Sequence, residues 1–171
     1  MNVIQELQVI HQQIQTLDIK VEQLIQSLMI QGESLNKDLQ TAITEEYETI
    51  YPLAIDTGFF KGKKPTGVIF EETERINVGT WKKVFQTILC RCDADPEKHV
   101  ALMNLRGKVS GRERVLLSKE SENMRSPLKI AENLYVETHY DTETLLRILL
   151  TRILSAVNYD VSHISVAIRN S

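Results

Sequence analysis

The sequence predicts an α+β protein in which an N-terminal helical stem precedes a small head of mixed helices and strands. Three observations support this prediction. Apolar residues recur about every 3.5 positions over residues 3–28, helical and strand patterns alternate after residue 67, and a stretch rich in Gly, Pro and Lys separates the two regions. We therefore divide the chain into a coiled-coil stem at residues 1–55, a linker at 56–66 and a head at 67–171.

The stem carries a heptad repeat with no polar residue on its seam. A strict heptad winds helices around one another, so this stretch predicts a coiled-coil homo-oligomer. Both seam positions mix Leu, Ile and Val, which leaves two, three and four strands open. The alternative is an ordinary amphipathic helix packed on its own domain, although such a helix seldom keeps a strict heptad for so long. The seam residues are Val3, Leu7, Ile10, Ile14, Leu17, Val21, Leu24 and Leu28.

A second helical pattern follows Gly32 and is predicted to end at Pro52. The chain either folds back as a hairpin at Gly32 or continues as one long helix. The apolar positions of this second pattern are Leu35, Leu39, Ala42, Ile43, Tyr47 and Ile50.

Charge is divided unevenly along the chain. Residues 1–56 hold nine acidic and two basic side chains, for a formal charge of −7, whereas the remainder holds fourteen acidic and eighteen basic ones, for +4. An acidic stem with a mildly basic head favours an anionic partner for the head, such as a nucleic acid. A solvated surface is the alternative.

Two features bear on the compartment. No apolar run approaches the roughly 20 residues of a bilayer-spanning helix, and the N-terminus lacks a signal-peptide pattern. Cys90 and Cys92 lie too close in sequence for a good mutual disulfide, which fits a reducing environment, and we interpret both as structural thiols. We therefore expect a cytosolic protein without a membrane partner.

The first half of the head predicts a hairpin followed by two helices. Residues 68–70 and 75–78 have strand character around an acidic turn, and Thr80 is predicted to cap the first helix. Asp95 and Pro96 are predicted to begin the second helix, which runs to Leu105. The first helix carries an apolar stripe formed by Trp81, Val84, Phe85, Ile88, Leu89 and Cys92. We interpret Trp81 as a core anchor.

The second half of the head predicts three strands and one helix. The strands are expected at residues 115–117, 134–137 and 164–168, the last of which alternates apolar and polar residues. A helix rich in Leu and Ile is expected over residues 143–157, with Asp141 or Thr142 as its cap. Its apolar residues occupy more than one face, so we expect it to be central to the core.

Several short motifs in the head are distinctive. They are the tryptophan turn at residues 79–84, the LRGK stretch at 105–108, the RSPLKI stretch at 125–130, the LYVETH strand at 134–139 before a Leu-rich helix, and Tyr159 with Asp160. Over roughly residues 60–171, these motifs resemble a small α+β domain of bacteria and phages that occurs near restriction and mobile-element genes. The resemblance implies a prokaryotic or prophage setting, in defence or counter-defence, and supplies no catalytic residues.

The chain departs from the pattern of that family at two places. His139 stands where an amide is usual, and Val109 and Ser110 lie in a loop that is normally more basic.

A basic loop is the best candidate for a binding site. Its cations lie beside Gly107 and Gly111, and flexible cationic backbone can approach phosphates closely and donate charge-assisted hydrogen bonds. Nearby cations extend the patch, and a tyrosine is available to stack on a base. The alternative is a solvated connecting loop, and the spacing of a P-loop is absent. The predicted interface comprises Arg106, Lys108, Arg112, Arg114, Arg125, Lys129 and Tyr135.

A weaker candidate is the alternating group Glu137, His139 and Asp141. On a strand these side chains would share one face and could form an acid/base or metal site. Residues in this position more often border a sheet edge and cap the next helix. We therefore predict no metal site, no cofactor and no catalytic residue.

We expect a non-enzymatic, homo-oligomeric binding protein whose stem multiplies basic heads and so raises avidity. The first hypothesis is nucleic-acid binding in a phage or mobile-element setting. The second is a protein interaction module that inhibits a host defence protein. The third is a nucleotide-sequestering protein that places Arg106, Arg112 and Arg125 around a phosphate.

Overall fold

The computed structural model describes residues 2–111 and 114–170, apart from the side chains of residues 33–46. The chain forms two compact units, Met1–Glu46 and Tyr47–Ser171. The first unit is helical and the second combines strands and helices, so the predicted α+β class with a helical stem is confirmed. In the described residues, no helix is both long and apolar enough to cross a bilayer.

The stem is one long helix, α1, which spans Val3–Tyr47. It continues through Gly32, so the hairpin alternative is wrong. The second helical pattern falls largely on residues whose side chains lie outside the described set. Its last member, Ile50, is not helical, because β1 forms over Glu48–Pro52 and pairs along its length with the last strand, β7, at Ile164–Arg169.

The head therefore begins earlier than residue 55. The boundary between the two compact units lies after Glu46, and the predicted linker at 56–66 is part of the head. It contains a 3-10 helix, Thr57–Phe60, whose Phe60 is fully buried, and the first two residues of strand β2, Pro65–Phe70. Burial of an aromatic ring in the core explains why this stretch is structured despite its Gly, Pro and Lys content.

An antiparallel sheet of four strands has the order β1-β7-β2-β3. Here β2 is Pro65–Phe70 and β3 is Glu74–Asn77, which confirms the predicted hairpin, and β7 confirms the predicted final strand. One face of the sheet is apolar, with Val68 and Val166 fully buried in a cross-strand pair. This face contributes to the core.

A second antiparallel sheet has the order β4-β6-β5. Strand β4 is Leu117–Ser118, β5 is Pro127–Ala131 and β6 is Leu134–Glu137. Strand β6 confirms the prediction, β4 is shorter and later than expected, and β5 was not predicted.

Helix α2, Trp81–Asp93, contacts both sheets as well as α3, Pro96–Leu105, and α4, Thr142–Arg147. Its predicted stripe is confirmed, because all six residues are buried. Trp81 is a core anchor as interpreted: its indole N–H donates to the Lys63 carbonyl at 2.8 Å, and its ring lies 5.1 Å from that of Phe60. Burial raises the pKa of the Cys92 thiol to about 12, whereas Cys90 is exposed.

The predicted Leu-rich helix has two parts. Asp141 caps α4 by accepting from the Thr144 N–H at 3.0 Å, and the chain then continues as a π-helix over Ile148–Leu154. Four residues of the π-helix are buried, so this segment is central to the core as expected.

Candidate nucleic-acid interface

The outer face of the second sheet carries a short row of polar and aromatic side chains. Tyr135 on the central strand β6 lies opposite Lys129 on β5 and Ser118 on β4. Because side chains alternate along a strand, the neighbouring row points the other way and is buried; it consists of Leu117, Val136 and Leu128. Tyr135 is half-buried and Lys129 is exposed, so a tyrosine and a lysine lie side by side on an accessible face.

Glu137, two residues beyond Tyr135 on β6, is 1% exposed. Its carboxylate accepts three backbone N–H bonds, from Arg125 at 2.7 Å, from Ser126 at 2.9 Å and from His139 at 2.9 Å. Burial alone would raise the pKa of Glu137. The backbone donors together lower the pKa by more than burial raises it, so the pKa lies below its ordinary value. Glu137 is therefore an ionised acceptor that fixes the loop before β5.

The same carboxylate brings two predicted binding residues to this sheet. Arg125 is held through its backbone, which leaves its exposed side chain available. The Arg114 guanidinium lies 4.0 Å from the Glu137 carboxylate, with its side chain 35% exposed. Arg114, Arg125, Lys129 and Tyr135 are thus gathered around the β5 and β6 strands.

Two predicted residues, Arg106 and Lys108, do not join this group. The Arg106 guanidinium donates to the carbonyls of Met103 and Asn133, both at 2.9 Å, so it ties the end of α3 to the β5–β6 turn. Lys108 is exposed in the following loop, where the Gly107 N–H bonds to the Leu117 carbonyl beside β4. Arg112 lies outside the described residues.

The alternating group Glu137, His139 and Asp141 does not form a shared site. Glu137 is buried and accepts hydrogen bonds from backbone N–H groups, Asp141 caps α4, and His139 is exposed. The Thr144 N–H also lowers the pKa of Asp141. Among the described residues, no group of three or more His, Cys, Asp or Glu side chains is arranged to hold a metal ion.

A polar cluster that the sequence did not reveal lies at the start of β5. The Lys82 ammonium donates to the Ser126 hydroxyl at 2.8 Å, and the Thr138 hydroxyl donates to the Ser126 carbonyl at 2.7 Å. These contacts connect α2 to the loop that Glu137 fixes. The loop that presents Arg125 is therefore held from two sides.

Comparison of the chain with protein-family models, with curated proteins and with solved structures gave no match. The resemblance to a bacterial and phage domain stays a prediction. Function is consequently argued from the geometry of the head and the sequence of the stem.

Proposed function

We propose that this protein is a non-enzymatic homo-oligomer whose heads bind single-stranded nucleic acid on the outer face of the second sheet. The observation that carries the proposal is the pairing of Tyr135 with Lys129 on that face. Aromatic side chains stack on bases of any sequence, and cations beside them neutralise the backbone. A tyrosine on the central strand of a sheet suits an unpaired base better than a duplex, whose bases are already stacked.

The two arginines near Glu137 support the same proposal. Arg125 bonds to Glu137 through its backbone N–H, and the Arg114 guanidinium lies 4.0 Å from the Glu137 carboxylate. Within the part of the chain that the structure describes, neither guanidinium has a closer ion pair. By contrast, Arg91 lies 2.6 Å from Glu74 and is neutralised there. The proposed interface therefore comprises Tyr135, Lys129, Arg125 and Arg114.

The stem supports the homo-oligomer. Each of its eight seam side chains is between 50% and 67% exposed in the single chain, from Ile10 at 50% to Val3 at 67%. A continuous apolar stripe of this length is typical of an interface. A second copy is the partner we propose, because a heptad seam is complementary to itself and only Glu6, Asp18 and Lys20 among its flanking positions are charged. We place the protein in a prophage or mobile-element setting, following the resemblance.

Fluorescence anisotropy with labelled single-stranded and duplex DNA and RNA tests the head. We expect the single strands to bind more tightly than the duplexes. The double variant Lys129→Ala with Arg125→Ala should weaken binding. The control is Lys61→Ala, which removes an exposed cation next to the 3-10 helix. A head that neutralises three phosphates should lose roughly 20-fold in affinity between about 50 and 200 mM salt. Absence of binding at low salt would contradict the proposal.

Sedimentation analysis of the full chain tests the stem separately. Leu17→Asp places a charge on the seam and should give monomers, whereas Gln12→Asp places the same charge on the opposite side of the helix and should leave the oligomer intact. A wild-type chain that is monomeric at every concentration would contradict homo-oligomerisation. That result would favour the alternative, a helix of another protein as the partner of the stem.

A further inference from the structure

A cleft of about 740 Å³ lies between the loop at Ser110 and Gly111 and the helical segment that runs from α4 into the π-helix. Its volume falls within the roughly 300–1,000 Å³ of sites for small molecules. Its lining mixes apolar and polar side chains, and the polar ones include Arg147, Arg152 and Tyr140. None of these three residues belongs to the interface proposed above.

The π-helix explains how both arginines reach one cleft. Residues five apart lie roughly 140° from one another around an α-helix, because each residue turns by about 100°. In a π-helix the hydrogen bonds run from i to i+5, so residues five apart lie on the same side. Arg147 directly precedes the π-helix and Arg152 lies within it, and both line the cleft. The π-helix thus brings two arginines to the lining of one cleft.

Both guanidinium groups are open to a ligand. Neither Arg147 nor Arg152 has an ion pair or a side-chain hydrogen bond with the described residues, and both side chains are exposed. Two cations in one cleft favour an anionic ligand, and Arg binds phosphate through two parallel N–H bonds. Thr144 and Thr151 line the same cleft. The Thr151 hydroxyl donates to the Arg147 carbonyl, and the Thr144 side chain forms a hydrogen bond with Asp141.

The remaining lining distinguishes the ligand from a bare anion. The ring of Tyr140 is half-buried, and its hydroxyl lies so close to Gly111 that a Cβ there would be 2.6 Å away. Tyr140 therefore packs against the core and against Gly111, and it contributes to the lining of the cleft. The Asp141 carboxylate, which accepts from the Thr144 N–H through Oδ1, also lines the cleft and is an acceptor suited to a sugar hydroxyl.

We propose that this cleft binds a mononucleotide, with its phosphate on Arg147 and Arg152 and its base against Tyr140. Asp141 is the acidic side chain among the described residues that line the cleft, and it favours one phosphate group over a longer polyphosphate chain, since each added charge would be repelled. This site uses different residues from the nucleotide hypothesis based on Arg106, Arg112 and Arg125, and different side chains from the interface on the second sheet.

Isothermal titration of the full chain with each of the four ribonucleoside 5′-monophosphates tests the proposal, with adenosine and inorganic phosphate as comparisons. We expect at least one monophosphate to bind, and adenosine and phosphate alone to bind roughly tenfold or more weakly, because each lacks one set of contacts. Failure of all four to bind at millimolar concentration would overturn the proposal. Inorganic phosphate that binds as tightly as the best nucleotide would overturn it too.

Variants locate the site. Arg147→Met with Arg152→Met should lower the affinity roughly tenfold or more without changing the melting temperature of the free protein, because both side chains are exposed. Arg169→Met, an exposed arginine at the end of β7, is the matched control. Binding unchanged in the double variant would overturn the assignment. Lys129→Ala should leave nucleotide binding unaltered, so failure of the cleft and failure of the nucleic-acid interface are distinguishable.

Discussion

Arg75 on the edge strand β3 forms an ion pair with Glu48 on the opposite edge strand β1, with 2.8 Å between Nη1 and Oε2. The Arg75 side chain reaches Glu48 by lying over Gly67 of β2, where a Cβ would be 3.0 Å from its Nε. A second contact joins Nη2 to Oε1 at 3.0 Å. The pair therefore links the first strand of the head to the far edge of its sheet.

Removal of one partner should destabilise the head. Arg75→Met leaves the Glu48 carboxylate, 16% exposed, without its cation, and we expect a loss of about 1–2 kcal/mol in the free energy of unfolding, less than for a fully buried pair. Urea denaturation followed by circular dichroism measures it. Glu48→Gln combined with Arg75→Met should cost less than the sum of the two single changes. Additive effects would contradict a direct interaction.

Gly67 should be needed for the path of the Arg75 side chain. Gly67→Ala introduces a methyl group that the flexible guanidinium must avoid, so we expect a smaller loss of about 1 kcal/mol. The same substitution in the Arg75→Met background should cost less, because the obstructing contact is gone. An equal cost in both backgrounds would indicate that strand geometry, rather than Arg75, requires glycine here.

Local sequence patterns predicted the elements whose conformation depends mainly on their own residues. The α2 stripe and the caps at Thr80 and Asp95 are examples, since the Thr80 hydroxyl accepts from the Lys83 N–H as a cap should. Strand β1 was missed because Ile50 fits a helical period equally well, and only its pairing with Ala167, far along the chain, makes it a strand. The π-helix was missed because its sequence also suits an α-helix.

The candidate interface could be predicted only in part, because side-chain partners are not local. The sequence predicts Arg106 to be an available cation in a loop, but its guanidinium donates a hydrogen bond to the Asn133 carbonyl. The sequence places Glu137 at the end of a strand, where an acidic side chain is usually exposed, but the backbone N–H groups of Arg125 and Ser126 donate to its carboxylate. Composition therefore located the basic patch, whereas contacts between distant residues determine which cations remain available.

Substitutions at Gly32 test in solution whether the stem is one long helix or a hairpin. A Cβ at this position would have nothing within 4 Å, so Gly32→Ala should raise helix stability by about 1 kcal/mol and raise the melting temperature of the stem signal in circular dichroism. Gly32→Pro should instead lower the helix content. A tolerated proline together with a destabilising alanine would indicate a turn at Gly32.

Glu137→Gln should destabilise the head strongly at neutral pH. The amide nitrogen cannot accept a hydrogen bond, so at least one of the N–H groups of Arg125, Ser126 and His139 loses its partner in a buried position. We expect a loss of about 2–4 kcal/mol in the free energy of unfolding. Glu132→Gln, at an exposed position in the β5–β6 turn, is the matched control and should have almost no effect.

This loss should depend on pH with a definite sign. Because the folded protein lowers the pKa of Glu137, its carboxylate stabilises the fold fully above the unfolded pKa near 4.5, and the contribution disappears as the pH falls through the lower folded pKa. The difference in unfolding free energy between wild type and Glu137→Gln should therefore be constant from about pH 6 to 8 and shrink in acid. A difference that grows in acid would show that Glu137 is held in its protonated form, and would contradict its assignment as the ionised acceptor that positions Arg125.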